Sequence, residues 1–178
     1  MMRGIRFSGV LLILAISALS GCIFKAQPFK GVISYRQGKV YIRHDKYYTV
    51  GVLADDWRAL KTRARTISFY NEGLKASIST DAYCGKSVTD RTLDSLSGDI
   101  ITALEKRQVT NEKNFTLNER GALRQHITGS VDGVPTDVDL VIVRKNYCVF
   151  DFYSVAPAGG NPDVKEAFET FFNGFHYE

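Results

Sequence analysis

A chain of 178 residues has room for one domain with its own hydrophobic core and needs no metal or dense disulfide framework to hold it. With 44% hydrophobic and 24% charged residues, it is neither a disordered chain nor a polytopic membrane protein. The net charge of +4 includes Arg3 and Arg6 near the N-terminus; without them 21 basic side chains stand against 19 acidic ones, in no basic run, which argues against nucleic acid as a partner.

Met1 to Phe7 carries two arginines and Val10 to Leu19 is almost wholly apolar, the charged and hydrophobic regions of a secretory signal. Ten helical residues rise only ~15 Å, about half of a bilayer's hydrocarbon core, too short for a spanning anchor. Directly after this segment, Leu19-Ser20-Gly21-Cys22 resembles the lipobox of bacterial lipoproteins. The resemblance implies cleavage before Cys22 and a diacylglycerol on its sulfur. Long acyl chains such as palmitate would then anchor the protein, each buried methylene contributing about 0.8 kcal/mol. An ordinary secretory peptide with a chance cysteine is the alternative. Gram-negative lipoproteins tend to stay on the inner membrane when aspartate follows the lipidated cysteine. With Ile23 in that place, the resemblance implies the outer membrane, facing the periplasm. The expected organisation is a signal peptide over 1–21, a lipid-anchored tether over 22–31 interrupted by Pro28, and one domain over 32–178.

Within the domain, Val32 to Val52 is rich in β-formers, punctuated by Gln37-Gly38 and His44-Asp45-Lys46, which predicts strands joined by tight turns. Thr66 to Thr80 predicts a hairpin. With Glu72-Gly73 at its turn, Phe69 pairs with Ala76, Ile67 with Ile78, and Ser68 with Ser77. From Thr89 to Lys106 the period changes: Leu93, Leu96, Ile100, Ile101 and Leu104 fall on one helical stripe, with Ser87 or Thr89 as N-cap. Phe115 to Leu117 reads as a short strand. Ala122 to Val131, Val134 to Arg144 and Tyr147 to Val155 then form an antiparallel meander, broken at Asp132-Gly133 and Lys145-Asn146. Asn161-Pro162-Asp163 starts a last helix with a cap, a first-turn proline and an acid at the positive dipole end. Its stripe of Val164, Ala167, Phe168, Phe171, Phe172 and Phe175 reads as core packing, with a partner groove as the alternative.

These elements predict an α+β domain, a single antiparallel β-sheet covered by two main α-helices. Tyr48-Thr49-Val50, Asp56-Trp57, the middle helix, and Tyr147-Cys148-Val149-Phe150 through Phe171-Phe172-Asn173-Gly174-Phe175 together resemble the PsbP-like fold. The resemblance covers most of Tyr41 to Phe175 and implies an α/β/α sandwich. Members of that family act mostly as assembly factors or binding modules; no functional residue transfers from it, and Cys84 and Cys148 are not part of its pattern.

Those two cysteines form an even pair in an oxidising compartment once Cys22 carries lipid, and we expect them to form a disulfide. Closing a loop of about 65 residues would stabilise the fold by up to ~4 kcal/mol in the chain-entropy model. Two buried free thiols are the alternative. A catalytic Cys84 is disfavoured, because no histidine lies near it in sequence.

The meander also places side chains in rows. With Asp132-Gly133 as a two-residue turn, His126 lies opposite Asp139 and Thr128 opposite Asp137. A three-residue loop at Lys145 to Tyr147 puts Ile142 with Phe150 and Leu140 with Phe152 on the core face. It also sets Asp139 beside Tyr153, and Val141 between Arg124 and Asp151, on the other face. One candidate polar binding face thus carries Arg124, His126, Asp137, Asp139, Asp151 and Tyr153. A histidine oriented by a carboxylate beside a tyrosine can do acid/base work. Complementary charges on a solvated sheet face, each pair contributing a few tenths to about 1 kcal/mol, are the plainer reading. No nucleophile or metal-ligand cluster joins the group, so no catalytic residue, metal or cofactor is expected. His44, in a turn, and His176, after the last helix, read as surface residues, and the chain has no HExxH, GxSxG, phosphate loop or CxxC.

The expected function is a non-enzymatic, lipid-anchored envelope protein that binds another protein or assists an envelope assembly. A carrier of a small apolar ligand or lipid, its aromatics lining a pocket, is the alternative, and an enzyme is a third reading. A closed core with an apolar surface patch favours the first and a deep apolar pocket the second.

Overall fold

A computed structural model describes residues 29–30, 34–43, 45–60 and 66–178; the signal segment, Cys22, most of the tether and His44 lie outside the described residues. The strands in chain order are β1 (Phe29–Lys30), β2 (Ser34–Arg36), β3 (Lys39–Tyr41), β4 (Tyr47–Thr49), β5 (Arg58–Ala59), β6 (Ile67–Asn71) and β7 (Ala76–Cys84). Helices α1 (Lys86–Thr89) and α2 (Leu93–Ile100) follow, then β8 (Glu105–Leu117), β9 (Arg120–Val131), β10 (Val134–Lys145), β11 (Cys148–Pro157) and α3 (Pro162–Asn173).

Two-residue turns set most of this architecture. Gln37-Gly38, Asn118-Glu119, Asp132-Gly133 and Asn146-Tyr147 hold φ values of 47° and 80°, 46° and 63°, 50° and 77°, and 50° and 62°. Left-handed backbone at both central positions matches the right-handed twist of the flanking strands, so each turn closes an antiparallel hairpin. The hairpin of β6 and β7 uses a longer turn, in which Asn71 Oδ1 accepts the Leu74 N–H at 3.0 Å. Its register pairs Phe69 with Ile78 and Ser68 with Ser79, two residues beyond the register expected from a turn at Glu72-Gly73. A slip of two keeps every side chain on its face. Ser68 therefore meets Ser79 rather than Ser77, across a 2.9 Å hydrogen bond.

The main sheet runs β5-β6-β7-β11-β10-β9-β8, with β1 alongside β7 at Cys84 and Tyr83. A second, three-stranded sheet of order β2-β3-β4 corrects the expectation of a single sheet. The expected helix from Thr89 to Lys106 is also broken up. Thr92 is the N-cap of α2, accepting the Ser95 N–H at 3.2 Å, and the helix gives way to a 3-10 turn at Ile101–Ala103. Leu104 prolongs the helical stripe in the sequence, yet it reaches the same core as Leu96 from the start of β8.

Hydrophobic residues pack on both faces of the main sheet. On one face Val164, Phe168, Phe171 and Phe172 of α3, with Val40 and Tyr48 of the small sheet, cover Ile78, Val141, Phe150 and Phe152. Tyr48 sits fully buried and its hydroxyl bonds Thr80 Oγ1 at 2.8 Å. The backbones of Gly51 and Gly174 cross so closely that a Cβ on Gly174 would lie 2.1 Å from Gly51 N, so only glycine fits that crossing. On the other face Leu96, Ile101 and Leu104 pack on Ile127, Val138, Leu140, Ile142 and Val149. Cys84 and Cys148 stand directly opposite each other in β7 and β11 and are joined by a disulfide, the pairing expected from the cysteine count. Among the described residues, no helix is long and apolar enough to cross a membrane.

Candidate functional site

Arg124 and His126 on β9 and Asp137 and Asp139 on β10 alternate with core residues, so all four project from one face of the sheet. The pairs His126 with Asp139 and Thr128 with Asp137 stand in the register that the Asp132-Gly133 turn predicts. α3 packs over the same face, and between its first half and the strands lies a cleft of about 590 Å³ that also takes in Lys113, Ser154, Lys165 and Glu169.

Its charged groups are largely engaged with one another. Asp139 Oδ1 lies 3.3 Å from His126 Nδ1 and 3.9 Å from Arg124 Nη2, while Arg124 Nη1 donates to Glu169 Oε1 at 3.1 Å. The Arg124 guanidinium also sits 5.5 Å from the centre of the Phe172 ring. Asp137 Oδ2 accepts the N–H groups of Gly159 and Gly160 at 2.9 and 3.1 Å, which ties the loop before α3 to the sheet. The charged side chains of these pairs are partly open to solvent, and such pairs contribute about 0.2–1 kcal/mol each.

Ser154 tests whether the cleft could be catalytic. It is opposite Asp139 in β11, as His126 is opposite Asp139 in β9. A Ser-His-Asp relay needs the imidazole between the hydroxyl and the carboxylate. Here the carboxylate is in the middle, and two strand spacings of about 4.8 Å separate the histidine from the serine.

Asp151 and Tyr153 do not join this face. The turn after β10 has two residues, not three, so Lys145 pairs with Cys148, Val141 with Phe152, Ile142 with Asp151, and Leu140 with Tyr153. One residue of slip moves a whole strand's side chains to the opposite face. Asp139 accordingly faces Ser154 rather than Tyr153, and Phe150 and Phe152 join the α3-side core while Leu140 and Ile142 join the other.

On that far face Asp151 stands directly opposite Asp81 of β7. Asp81 accepts hydrogen bonds from the Tyr83 hydroxyl at 2.8 Å, the Ala82 N–H at 2.8 Å and Thr66 Oγ1 at 3.0 Å. Burial pushes the Asp81 carboxyl above its ordinary range against those bonds. Burial, then the Asp81 charge, pushes Asp151 up to about 8. Burial likewise raises the Tyr83 and Tyr153 hydroxyls. Asp81 and Tyr83 lie beyond Thr80, where the hairpin expected from the sequence ends. The alternation of Ser79, Asp81 and Tyr83 against Ile78, Thr80 and Ala82 carries the signal onward to Cys84. Glu169 was hidden as the polar flank of an otherwise phenylalanine-rich helix. Among the described residues no group of three or more His, Cys, Asp and Glu side chains could hold a metal ion.

No family model matches the chain, and no curated protein matches it. Solved structures do resemble it in fold. Cyanobacterial PsbP (CyanoP) from Synechocystis sp. PCC 6803 superposes with a TM-score of 0.51 at 12% identity, over 89% of this chain and 96% of that one. LpqN of Mycobacterium tuberculosis, a protein involved in cell envelope biogenesis, gives 0.52 at 14%, over 82% and 88%. A protein of Bacteroides thetaiotaomicron VPI-5482 gives 0.55 at 13%, over 74% of this chain but 45% of its own length, so this chain spans less than half of it. At these identities the likeness is one of fold: the domain is an α+β, PsbP-like structure.

Proposed function

We propose that the chain is a lipid-anchored envelope module that binds a protein partner through the cleft beside α3 and catalyses no reaction there. In this reading Cys22 carries the lipid, the domain faces the periplasm from the outer membrane, and α2 and α3 are the outer layers of an α/β/α sandwich. The observation that carries the non-catalytic part is the order His126, Asp139, Ser154 across three adjacent strands, with the charged groups spent on one another. LpqN, similar in fold, is involved in envelope biogenesis, which supports the same setting by analogy. The carrier alternative draws less support, because the aromatic side chains are packed among themselves. Tyr48, Phe150, Phe152, Phe168 and Phe171 are fully buried in one core, and among the described residues no Phe, Tyr or Trp lines the cleft beside α3.

Two variants separate binding from catalysis. His126→Gln should change stability by about 1 kcal/mol or less and leave cellular function intact, because the pair it breaks is solvated. Reversing the charges that rim the cleft, Lys113→Glu with Lys165→Glu, should abolish complementation of a deletion strain while folding and localisation remain normal. If His126→Gln folds, localises normally and still crosslinks to the same partner in cells yet fails to complement, the cleft is an active site and the binding reading is wrong.

A further inference from the structure

The sheet face turned away from α3 holds a second cavity, of about 330 Å³, beneath α1 and α2. Val88, Leu96, Ile100 and Val149 wall it, and Tyr83 and Asp151 line it from the sheet. Asp151 is 5% exposed, and its Oδ1 has no hydrogen-bond partner among the described residues. Its neighbour Asp81 is saturated by Tyr83, Ala82 and Thr66. Arg91 and Asp99 also line the cavity and hold each other at 2.5 Å, Arg91 donating as well to the Ser95 carbonyl at 2.8 Å; Arg144 Nη2 donates to the Arg91 carbonyl, while Arg144 Nε has no hydrogen-bond partner among the described residues. A buried carboxyl with an unused oxygen is costly to leave without a donor. A donor that carries positive charge would also offset the repulsion from Asp81.

We propose that this cavity is a binding site for a small organic cation, a protonated alkylamine. Its ammonium group donates to Asp151 and its short aliphatic body lies against Val88, Leu96 and Ile100. Arg91, the cation that lines the cavity, is paired with Asp99, which leaves no free positive charge among the described lining residues to hold an anion, and the apolar walls disfavour a hydrated metal ion. The volume stands at the lower end of ligand pockets, enough for a small guest such as a short alkylamine.

Because Asp151 without ligand is held protonated up to about pH 8, a cation must displace that proton. Affinity should therefore rise with pH, close to tenfold per unit from pH 6 to pH 7, and level off above 8. The other groups facing the site do not reproduce this profile. Tyr83 from β7 and Tyr153 from β11 are raised and stay neutral through the window. Arg91 is raised and Asp99 lowered by their mutual hydrogen bond, so both stay charged, and β10 adds the Arg144 guanidinium to the same face. Asp81, itself raised, adds negative charge in the same direction when it loses its proton.

The test is a nitrogen-15 NMR titration of the full chain with n-butylammonium chloride, with n-pentanol as the neutral comparator. The expected result is saturable movement of the Val88, Leu96, Ile100 and Val149 amides by butylammonium, tightening about tenfold from pH 6 to pH 7. In Asp151→Asn that binding should weaken at least tenfold and lose most of its pH dependence, leaving only the smaller rise due to Asp81. No saturable movement at millimolar butylammonium and pH 8 in the wild type overturns the proposal. So does equal, pH-independent binding of butylammonium and pentanol. Both readings use the wild-type protein and hold even if the variant fails to fold.

Discussion

Asp151 is a carboxyl that folding takes out of water and places opposite a second carboxyl, Asp81, and the consequence is a stability that depends on pH. In the unfolded chain an aspartate titrates near 3.9, and in the native protein Asp151 titrates near 8. Between those values the native state binds more protons than the unfolded state, so stability falls as pH rises through this window and the full cost is present above 8. Asp81, raised by burial, acts in the same direction. Asparagine at position 151 mimics the protonated form and does not titrate. Urea unfolding of wild type and Asp151→Asn should therefore give a stability difference that moves in favour of the variant by up to about 1.4 kcal/mol per pH unit from pH 5 to 8, then levels off. A difference that stays flat over that range would mean that Asp151 does not titrate there.

The turn at Asn146-Tyr147 decides which element face that carboxyl occupies. Both residues are in the left-handed region, and Tyr147 holds φ of 62° with its side chain 74% exposed, so its strain is not offset by burial. Tyr147→Gly should relieve the strain and raise stability by about 0.5–1 kcal/mol in denaturant unfolding, with the β10-β11 register unchanged. A loss of stability would show that the tyrosine ring contributes packing that outweighs the strain. The same turn marks where the sequence stopped being legible. Asp132-Gly133 announces a tight turn because glycine is at home at φ of 77°, and the β9-β10 rows follow from it residue by residue. A tyrosine in that conformation announces nothing, so the sequence favours a three-residue loop, which would put Asp151 and Tyr153 on the opposite face from the one they occupy. β8 was reduced to Phe115 to Leu117 for a different reason. From Glu105 to Asn114 it is exposed throughout, an edge strand rich in charge with no apolar alternation to betray it. α3 was legible from cap to stripe, because Asn161, Pro162 and Asp163 act locally and the buried phenylalanines keep the helical period. α2 was legible in type but not in extent, since a helical stripe does not show that Leu104 reaches the core from a strand.

At the scale of the whole molecule, cysteine accounts for one crosslink and for one proposed anchor. The disulfide joins β7 to β11 across a sequence separation of 64, and a crosslink closing such a loop stabilises by up to ~4 kcal/mol in the chain-entropy model. Protein denatured from the periplasm without reductant should leave Cys84 and Cys148 unlabelled by a thiol reagent; full labelling of both would exclude the bond there. The other is the lipid anchor proposed for Cys22. Phe29 pairs with Cys84 at the disulfide end of the main sheet, and Cys22 precedes Phe29 by seven residues. A chain of that length reaches at most about 25 Å, so a lipid on Cys22 would hold this end of the sheet close to the bilayer. Two or more long acyl chains hold a protein on a membrane for practical purposes, whereas a secreted domain without them partitions into water. Cys22→Ser should therefore shift the protein from the membrane fraction to the soluble periplasm, or leave an uncleaved precursor, when cells are fractionated and the N-terminus is read by mass spectrometry. If wild type and variant instead yield the same lipid-free mature protein, Leu19-Ser20-Gly21-Cys22 is an ordinary cleavage site and the anchored reading fails.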